Sequence, residues 1–560
     1  MPGRKKEVFL DLVPQRDEKE KEKEEKEKGS RSSRSGPLSS RRRPAWCAAA
    51  EGAGLGWLTD RDARAAGTMM AQNRFILLLA LGAVLAVLSL SLQFLHLIPI
   101  SPIREERPAA KSRKRVSPVL HTDPPEPDPV YEAYAYCNIP NRTEQGWEGH
   151  SPADYKLLSV QVLIRHGDRY PLYAIPKTKR PAIDCTLDPH RNPTHPKLAA
   201  FVNHMSWGGR ARWDPVLSAL PRVPSHSACE MGELTQTGVV QHLQNGEHLR
   251  SVYIKRHKLL PAHWSGRQLH LETTGKSRTL QSGLALLYGL LPDFDWAKVS
   301  VRHQWSTLFC GSGCDCPMRN QYLEEEQRRQ YELRVADVAL ERTYAEMARL
   351  VGVATRQMRA ASPVDSLLCH LCHGLSFPCG ARGCLSLRHF SSIKRQQLED
   401  ERERRRRGLY RRYALLAAHP FLNGTAVRML RVASGRRDEL LALFSAHDVT
   451  LAPVLSALGL SGARFPRFAA RLVFELWRSP PSPLGAAGDE AGDGDLRRLF
   501  VRVLYDGEDV TFRTTFCRAH KRHAGQPLCP FASFLSFVRR DMFGALNATS
   551  YQEACRRRPV

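Results

Sequence analysis

The segment Arg165-His166-Gly167-Asp168-Arg169-Tyr170-Pro171 gathers two guanidinium groups, four residues apart, around one imidazole. Guanidinium forks match phosphate oxygens two at a time, and a neutral imidazole between them is a nucleophile for phosphorus. Gly167 allows the backbone to approach a ligand closely. A second segment, Ser445-Ala446-His447-Asp448-Val449-Thr450-Leu451, sets a histidine that can donate to phosphate beside a carboxyl group that can deliver a proton. Each has a plainer reading, His166 as a satisfied core histidine among surface arginines and Asp448 as a helix cap.

The elements that must position these residues follow from apolar patterning. Runs rich in Val, Leu, Ile and Phe predict strands over residues 155–165, 268–274, 440–446, 471–477 and 499–505. Helical patterns lie between them, over 238–260, 278–290, 323–350 and 453–460. Strand and helix alternate at both ends of this region, around a long helical middle that carries cysteines, which predicts an α/β sheet with a helical insertion. His166 and His447 both fall where a strand ends, and open α/β sheets bind ligands outside the carboxyl ends of their strands. The low-complexity stretch 479–495 predicts a flexible hairpin loop.

Ahead of this region the chain is of a different kind. Residues 1–74 carry an alternating run of acidic residues and Lys over 17–28 and continue in Gly, Ala and Arg, which predicts a disordered cytoplasmic tail; Met69 and Met70 make residues 1–68 a candidate extended start. Residues 75–98 form an apolar run long enough to cross a bilayer as one signal-anchor helix. Residues 99–136 are polar and Pro-rich, as expected of a stem. The domain is expected over 137–560. Three sequons, at Asn141, Asn423 and Asn547, and thirteen of the fourteen cysteines follow the apolar run, which predicts a type II protein with an oxidising, lumenal domain.

The chain of 560 residues carries a formal net charge of +26, of which +5 lies in residues 1–74, none in 75–136, and +21 from residue 137 on. The excess thus belongs to the folded domain and suits an acidic partner. No recognition motif for nucleic acid is present, and a lumenal domain would not meet one. Cys369, Cys372, His373, Cys379 and Cys384 have the spacing of a zinc knuckle or of a disulfide-stapled loop, and the lumenal setting favours the latter. Cys310, Cys314 and Cys316 form a second such cluster, and an odd cysteine is left over. The run 401–413 is expected to be a solvated helix with Glu/Arg pairs, with contact to a polyanionic glycan as the alternative.

The order of these motifs resembles the histidine acid phosphatases, whose signature is RHGxRxP. The resemblance implies a histidine-phosphatase-like (phosphoglycerate-mutase-like) sheet core with a mainly helical inserted cap. It implies His166 as nucleophile, Asp448 as proton donor, and Arg165, Arg169 and His447 as phosphate ligands. Arg278, in LETTGKSRTLQSG, matches the family's third phosphate arginine, and Gly232 to Gly238 matches its structural GELTxxG segment. The scheme uses no metal and no cofactor. Over the apolar run and the segments RHGDRYPLYAIPKTKRPAIDC, CEMGELTQTGVVQHLQNG and ETTGKSRTLQSGLALLYGLLPDFDW, the chain is similar to a Golgi type II member of the family. That member removes the 2-phosphate from xylose in the glycosaminoglycan–protein linkage region of proteoglycans. Glycosyltransferases of that pathway are then candidate partners, and the Golgi membrane the expected location. The competing expectations are an acid phosphatase of another substrate, a mutase-like phosphoryl transfer, and a catalytically idle glycan-binding protein that organises glycosyltransferases; the intact set of six site residues favours an enzyme.

Overall fold

The computed structural model describes residues 128–560, apart from 141–145, 153, 209–210, 407, 461–464, 482–493, 521–527 and 557–560. The expected tail, the apolar run 75–98 and most of the stem lie outside the described residues. Among the described residues, no helix is long and apolar enough to cross a membrane.

Helix α1 (Pro129–Cys137) leads into strand β1 (Lys156–Arg165), followed by α2 (Gln236–Leu249), β2 (Leu269–Thr274), α3 (Ser277–Leu290) and β3 (Ser300–Gln304). A run of helices comes next: α4 (Pro317–Ala336), α5 (Val338–Val351), α6 (Pro363–Cys372), α7 (Leu387–Arg406) and α8 (Gly408–Ala433). The chain then returns to the sheet through β4 (Leu441–Ala446), α9 (Asp448–Ala457), β5 (Arg471–Arg478) and β6 (Leu499–Tyr505).

The six strands lie in the order β6-β5-β1-β4-β2-β3 within a nine-stranded sheet completed by two-residue strands. β1, β4, β2 and β3 are parallel, whereas β5 pairs antiparallel with the other edge of β1 and β6 pairs antiparallel with β5. Central strands covered on both faces lose the polar alternation of a half-exposed strand, and β4 is buried at every position. Alternation survives in which core each residue joins. Val160, Val162 and Ile164 of β1 pack with α2 and α3 on one face, while Leu163 packs with α8, α9 and the C-terminal helices on the other.

The insertion between β3 and β4 builds a helical cap with its own small core, in which Leu340, Met347, Met358, Leu367 and Phe390 are buried. Ala133 and Cys137 of α1 belong to that core. The stem expected over 99–136 is therefore corrected at its end: Asp128 caps α1 by accepting from Val130 N, Pro129 takes the first helical position, and residues 129–137 are helical rather than an extended stem. The single helix expected over 323–350 is two, because Asp337 turns out of helical geometry and its carboxylate caps α5 through Ala339 N and Leu340 N. α9 starts five residues earlier than expected, at Asp448, with Pro453 inside it.

Six disulfides are present among the described residues. Cys310–Cys314 and Cys379–Cys384 are local staples, as expected, but Cys372 reaches back to Cys137 and Cys316 reaches Cys555, across 235 and 239 residues. Adjacent cysteines are thus sent to distant partners because the cap returns to α1 and α4 returns to the C-terminus. Cys369 is the buried odd cysteine.

Candidate active site

β1 and β4 are in register to their last residues, Arg165 opposite Ala446, so His166 and His447 leave the sheet side by side. His166 N donates to Ala446 O at 2.9 Å, and the two imidazole centroids are 5.5 Å apart. Thr274, the last residue of β2, meets His447 Nε2 through its hydroxyl at 2.9 Å. Three parallel strands therefore end at one place.

Gly167 crosses the start of α2 with no space for a side chain, since a Cβ there would lie 2.5 Å from Gly238 Cα. The GELTQTG segment supplies that surface. Thr235 caps α2 and also holds Asp168, while Glu233 accepts from Ser225 N, Glu230 N and the His226 ring. Both roles are structural, as expected of this segment.

His166 Nδ1 lies 2.8 Å from Gly167 O, and a carbonyl oxygen only accepts, so Nδ1 carries the proton and Nε2 keeps its lone pair. Burial, followed by the nearby charges of Arg278 and Arg165, holds His166 well below the ordinary histidine value, and the same influences act on His447. Both rings are neutral near neutral pH. His166 is thereby fixed in the state that can attack phosphorus.

The expected phosphate ligands surround these rings in different states of engagement. Arg165 is fully buried between the rings of Tyr136 and Phe468, with its guanidinium carbon 4.6 and 4.4 Å from their centroids. It donates to Pro466 O at 2.8 Å and to Tyr136 Oη at 2.5 Å, and it pairs with Asp448 at 3.0 Å. Arg169 is gripped on both terminal nitrogens by Asp365 of the cap, at 2.9 and 3.1 Å. Arg278 forms no hydrogen bond or ion pair among the described residues, and burial together with Arg169 and Arg165 pulls it down to about 10. All three arginines leave their Nε–H buried and unpartnered. Buried cations short of partners are costly, and a phosphate dianion would relieve the crowding.

Asp448 is the first residue of α9, and its side chain remains 24% exposed. It lines a cleft of about 770 Å³ between sheet and cap, together with Tyr136, Arg169 and Asp365. Its carboxyl is thus reachable both from the buried Arg165 and from solvent. The structure brings His166, Arg165, Arg278, His447 and Asp448 together, with Arg169 on the same cleft. Of the expected glycosylation sites, Asn141 lies outside the described residues, whereas Asn423 on α8 and Asn547 are exposed.

Four further residues belong to this site and were not singled out for it. Tyr136 lay in the expected stem, although its neighbour Cys137 marked the start of the folded region. Asp365 also accepts from Leu172 N at 2.6 Å, so it sets the loop after Arg169 as well as Arg169 itself. His373, grouped by spacing with possible metal ligands, instead bonds Asp168 at 2.8 Å, while Cys372, Cys379 and Cys384 are taken by disulfides. Gln241, one turn into α2, receives Asp168 N at 2.8 Å. Within the basic run 401–413, Arg404 pairs with Glu401 at 3.5 Å and donates to Gln330 at 2.5 Å, which fits a helix with paired charges.

Comparison with known proteins agrees with this geometry. 2-phosphoxylose phosphatase 1 of Danio rerio is 63% identical over 503 residues, covering 87% of this chain and 99% of that protein. The proteins of the same name from Xenopus tropicalis and Homo sapiens are 57% and 60% identical, over 88% and 87% of this chain and 100% and 99% of theirs. The profile of the histidine phosphatase superfamily (branch 2) matches residues 156–506, the span from the first residue of β1 to just beyond the end of β6. The chain is therefore a phosphatase of the histidine phosphatase superfamily, branch 2.

Proposed function

We propose that this protein removes the 2-phosphate from xylose in the glycosaminoglycan–protein linkage region of proteoglycans, through a phosphohistidine intermediate. The reading takes its substrate from the relatives, which share its sequence from end to end of their own. One observation carries the chemistry: the fixed tautomer of His166 stands beside an Arg165 that is itself paired, at 3.0 Å, with the cleft carboxyl of Asp448.

In the first step His166 Nε2 attacks phosphorus, and the bond from phosphorus to the sugar oxygen breaks on the opposite side. Asp448 supplies the proton that this oxygen requires. Arg165, Arg169, Arg278 and His447 hold the three equatorial oxygens, so that catalysis rests on positioning and on neutralising charge. Arg169 meets the phosphate with the edge that Asp365 leaves open. In the second step water attacks the phosphohistidine, giving up its proton to Asp448, and inorganic phosphate departs.

The same proposal places the chain in the Golgi membrane as a type II protein, anchored by residues 75–98, with glycosyltransferases of the pathway as partners. Six disulfides and the exposed sequon residues Asn423 and Asn547 support a lumenal domain. The direct test incubates the lumenal domain with a linkage oligosaccharide bearing 2-phosphoxylose. Phosphate release that is lost in His166→Ala is the expected result; no release, or equal release from both, overturns it.

A further inference from the structure

The cleft between sheet and cap holds a cation that phosphate chemistry does not use. Lys394 lies on α7, in the cap, and lines the same cleft as Asp448. It is 8% exposed, which for a lysine is unusual without a partner.

Other cations of the cleft are matched. Arg169 is held by Asp365, Arg334 by Asp400 at 2.5 Å, Arg467 by Asp506 at 2.9 Å, and Arg513 by Glu508 at 2.5 Å. Arg404 has Glu401 and Gln330, and Arg405 donates to Glu401 O at 3.2 Å. Lys394, by contrast, makes no hydrogen bond and no salt bridge among the described residues; its ammonium sits 5.3 Å from the centre of the Tyr136 ring. A ring face attracts the charge but satisfies none of the three N–H donors as a carboxylate would. Burial is the largest influence on Lys394 and pulls it down to about 8, with Glu132 and Glu401 favouring its charge and Arg165 opposing it. It therefore remains mainly cationic at neutral pH and below.

The geometry points to Lys394 as a second anion site of the cleft, which takes a carboxylate or sulfate group carried on a sugar of the leaving group and so selects acidic glycans. This rests on the proposed reaction, in which the leaving group is a glycan and departs past Asp448 into this cleft. A volume of about 770 Å³ holds several sugar rings, and Tyr136, Tyr173 and Phe465 give it aromatic walls suited to them. A lysine offers a point charge and freely turning donors, which suits a singly charged oxyanion on a flexible chain better than a guanidinium fork would. Lys394 does not touch the reacting phosphate in this scheme; it fixes specificity.

The test compares 2-phosphoxylosides that are alike except for the terminal sugar of a short extension, which is neutral, a uronate or a sulfate ester. The quantity read is the ratio of kcat/KM for each acidic substrate to that for the neutral one, in the parent protein, Lys394→Met and Lys394→Arg. The parent ratio is expected at about tenfold or more for at least one acidic sugar, falling to near one in Lys394→Met and largely kept in Lys394→Arg. Whichever acidic sugar gives the larger ratio identifies the anion. A parent ratio near one, or a ratio that Lys394→Met leaves unchanged, overturns the site. If no 2-phosphoxyloside is turned over while 4-nitrophenyl phosphate is, the substrate assignment has failed. The anion site is then read from inhibition of 4-nitrophenyl phosphate hydrolysis by the same glycans without phosphate, with the same expected and overturning ratios.

Discussion

On the sheet side of the cleft, Arg165, His166 and His447 issue from β1 and β4, whose paired backbones fix where each side chain begins. On the cap side, Asp365, His373 and Lys394 come from helices that reach the same cleft through side-chain pairs and the Cys137–Cys372 disulfide. Helix α6 illustrates the second kind of attachment. Its first turn grips Arg169 through Asp365, the residue that follows it bonds Asp168, and its last residue is tied to α1 beside Tyr136. In the proposed reaction the sheet half performs the chemistry from a frame of paired backbones, whereas the cap half orients and selects.

If that division is right, damage to the two halves should differ in size and in kind. The largest effect belongs to His166→Ala, which should lower kcat by at least about 10³-fold on every phosphomonoester while leaving the thermal midpoint near that of the parent. Asp448→Asn should follow, with about a 10²-fold loss on a sugar phosphate and much less on 4-nitrophenyl phosphate, whose leaving group departs without a proton. Equal losses on both substrates would remove Asp448 from the proton-donor role. On the cap side, Asp365→Asn frees Arg169 from its two-point grip and should cost about tenfold in kcat/KM whatever the leaving group. Unchanged or improved kcat/KM would make Asp365 a competitor of phosphate rather than its positioner.

The two halves should also part in their response to pH. Burial and then the arginine charges depress His166 and His447, so the folded sheet half binds fewer protons than the unfolded chain, and its stability falls as pH drops below about 6.5. For His373, burial opposes the charge but Asp168 outweighs it, and the value is raised. Its contribution is complete below 6.5 and is lost as pH rises through the folded value. Unfolding of His373→Gln across this range should show a deficit of about 1–3 kcal/mol near pH 6 that shrinks as pH rises. A deficit that grows with pH contradicts the ion pair. The smallest effect is that of salt: raising it from about 50 to about 300 mM should weaken activity on an acidic glycan several-fold and hardly alter that on a small neutral ester.

The same division decides what the sequence made legible. Four of the five long strands around the site were marked by apolar runs, because a strand buried on both faces is mostly apolar along its length; β2 is the exception, with His270, Glu272, Thr273 and Thr274 beside its two leucines. His166, Arg165, Arg169, His447 and Asp448 were marked because motif residues at strand ends sit close together in the chain. The cap contributes through contacts between residues 365 and 169, 373 and 168, or 394 and 136, which no local spacing encodes. Tyr136 was assigned to a stem because its surroundings are polar and Pro-rich, yet the Asp128-Pro129 pair just ahead of it is a helix start. Asp337 divides one amphipathic pattern into two helices by a cap that propensity alone does not reveal. Cysteine spacing suggested local staples and missed Cys372 and Cys316, whose partners depend on where the cap and the C-terminus return.

The phosphohistidine itself is the most direct test of the sheet half. The protein would be mixed with labelled 2-phosphoxylose substrate, quenched during turnover under alkaline conditions that preserve phosphohistidine, and digested. Label on the peptide that contains His166, absent from His166→Ala and slower to appear in Asp448→Asn, is the predicted result. Turnover without label on that peptide, or label on another residue, would contradict it.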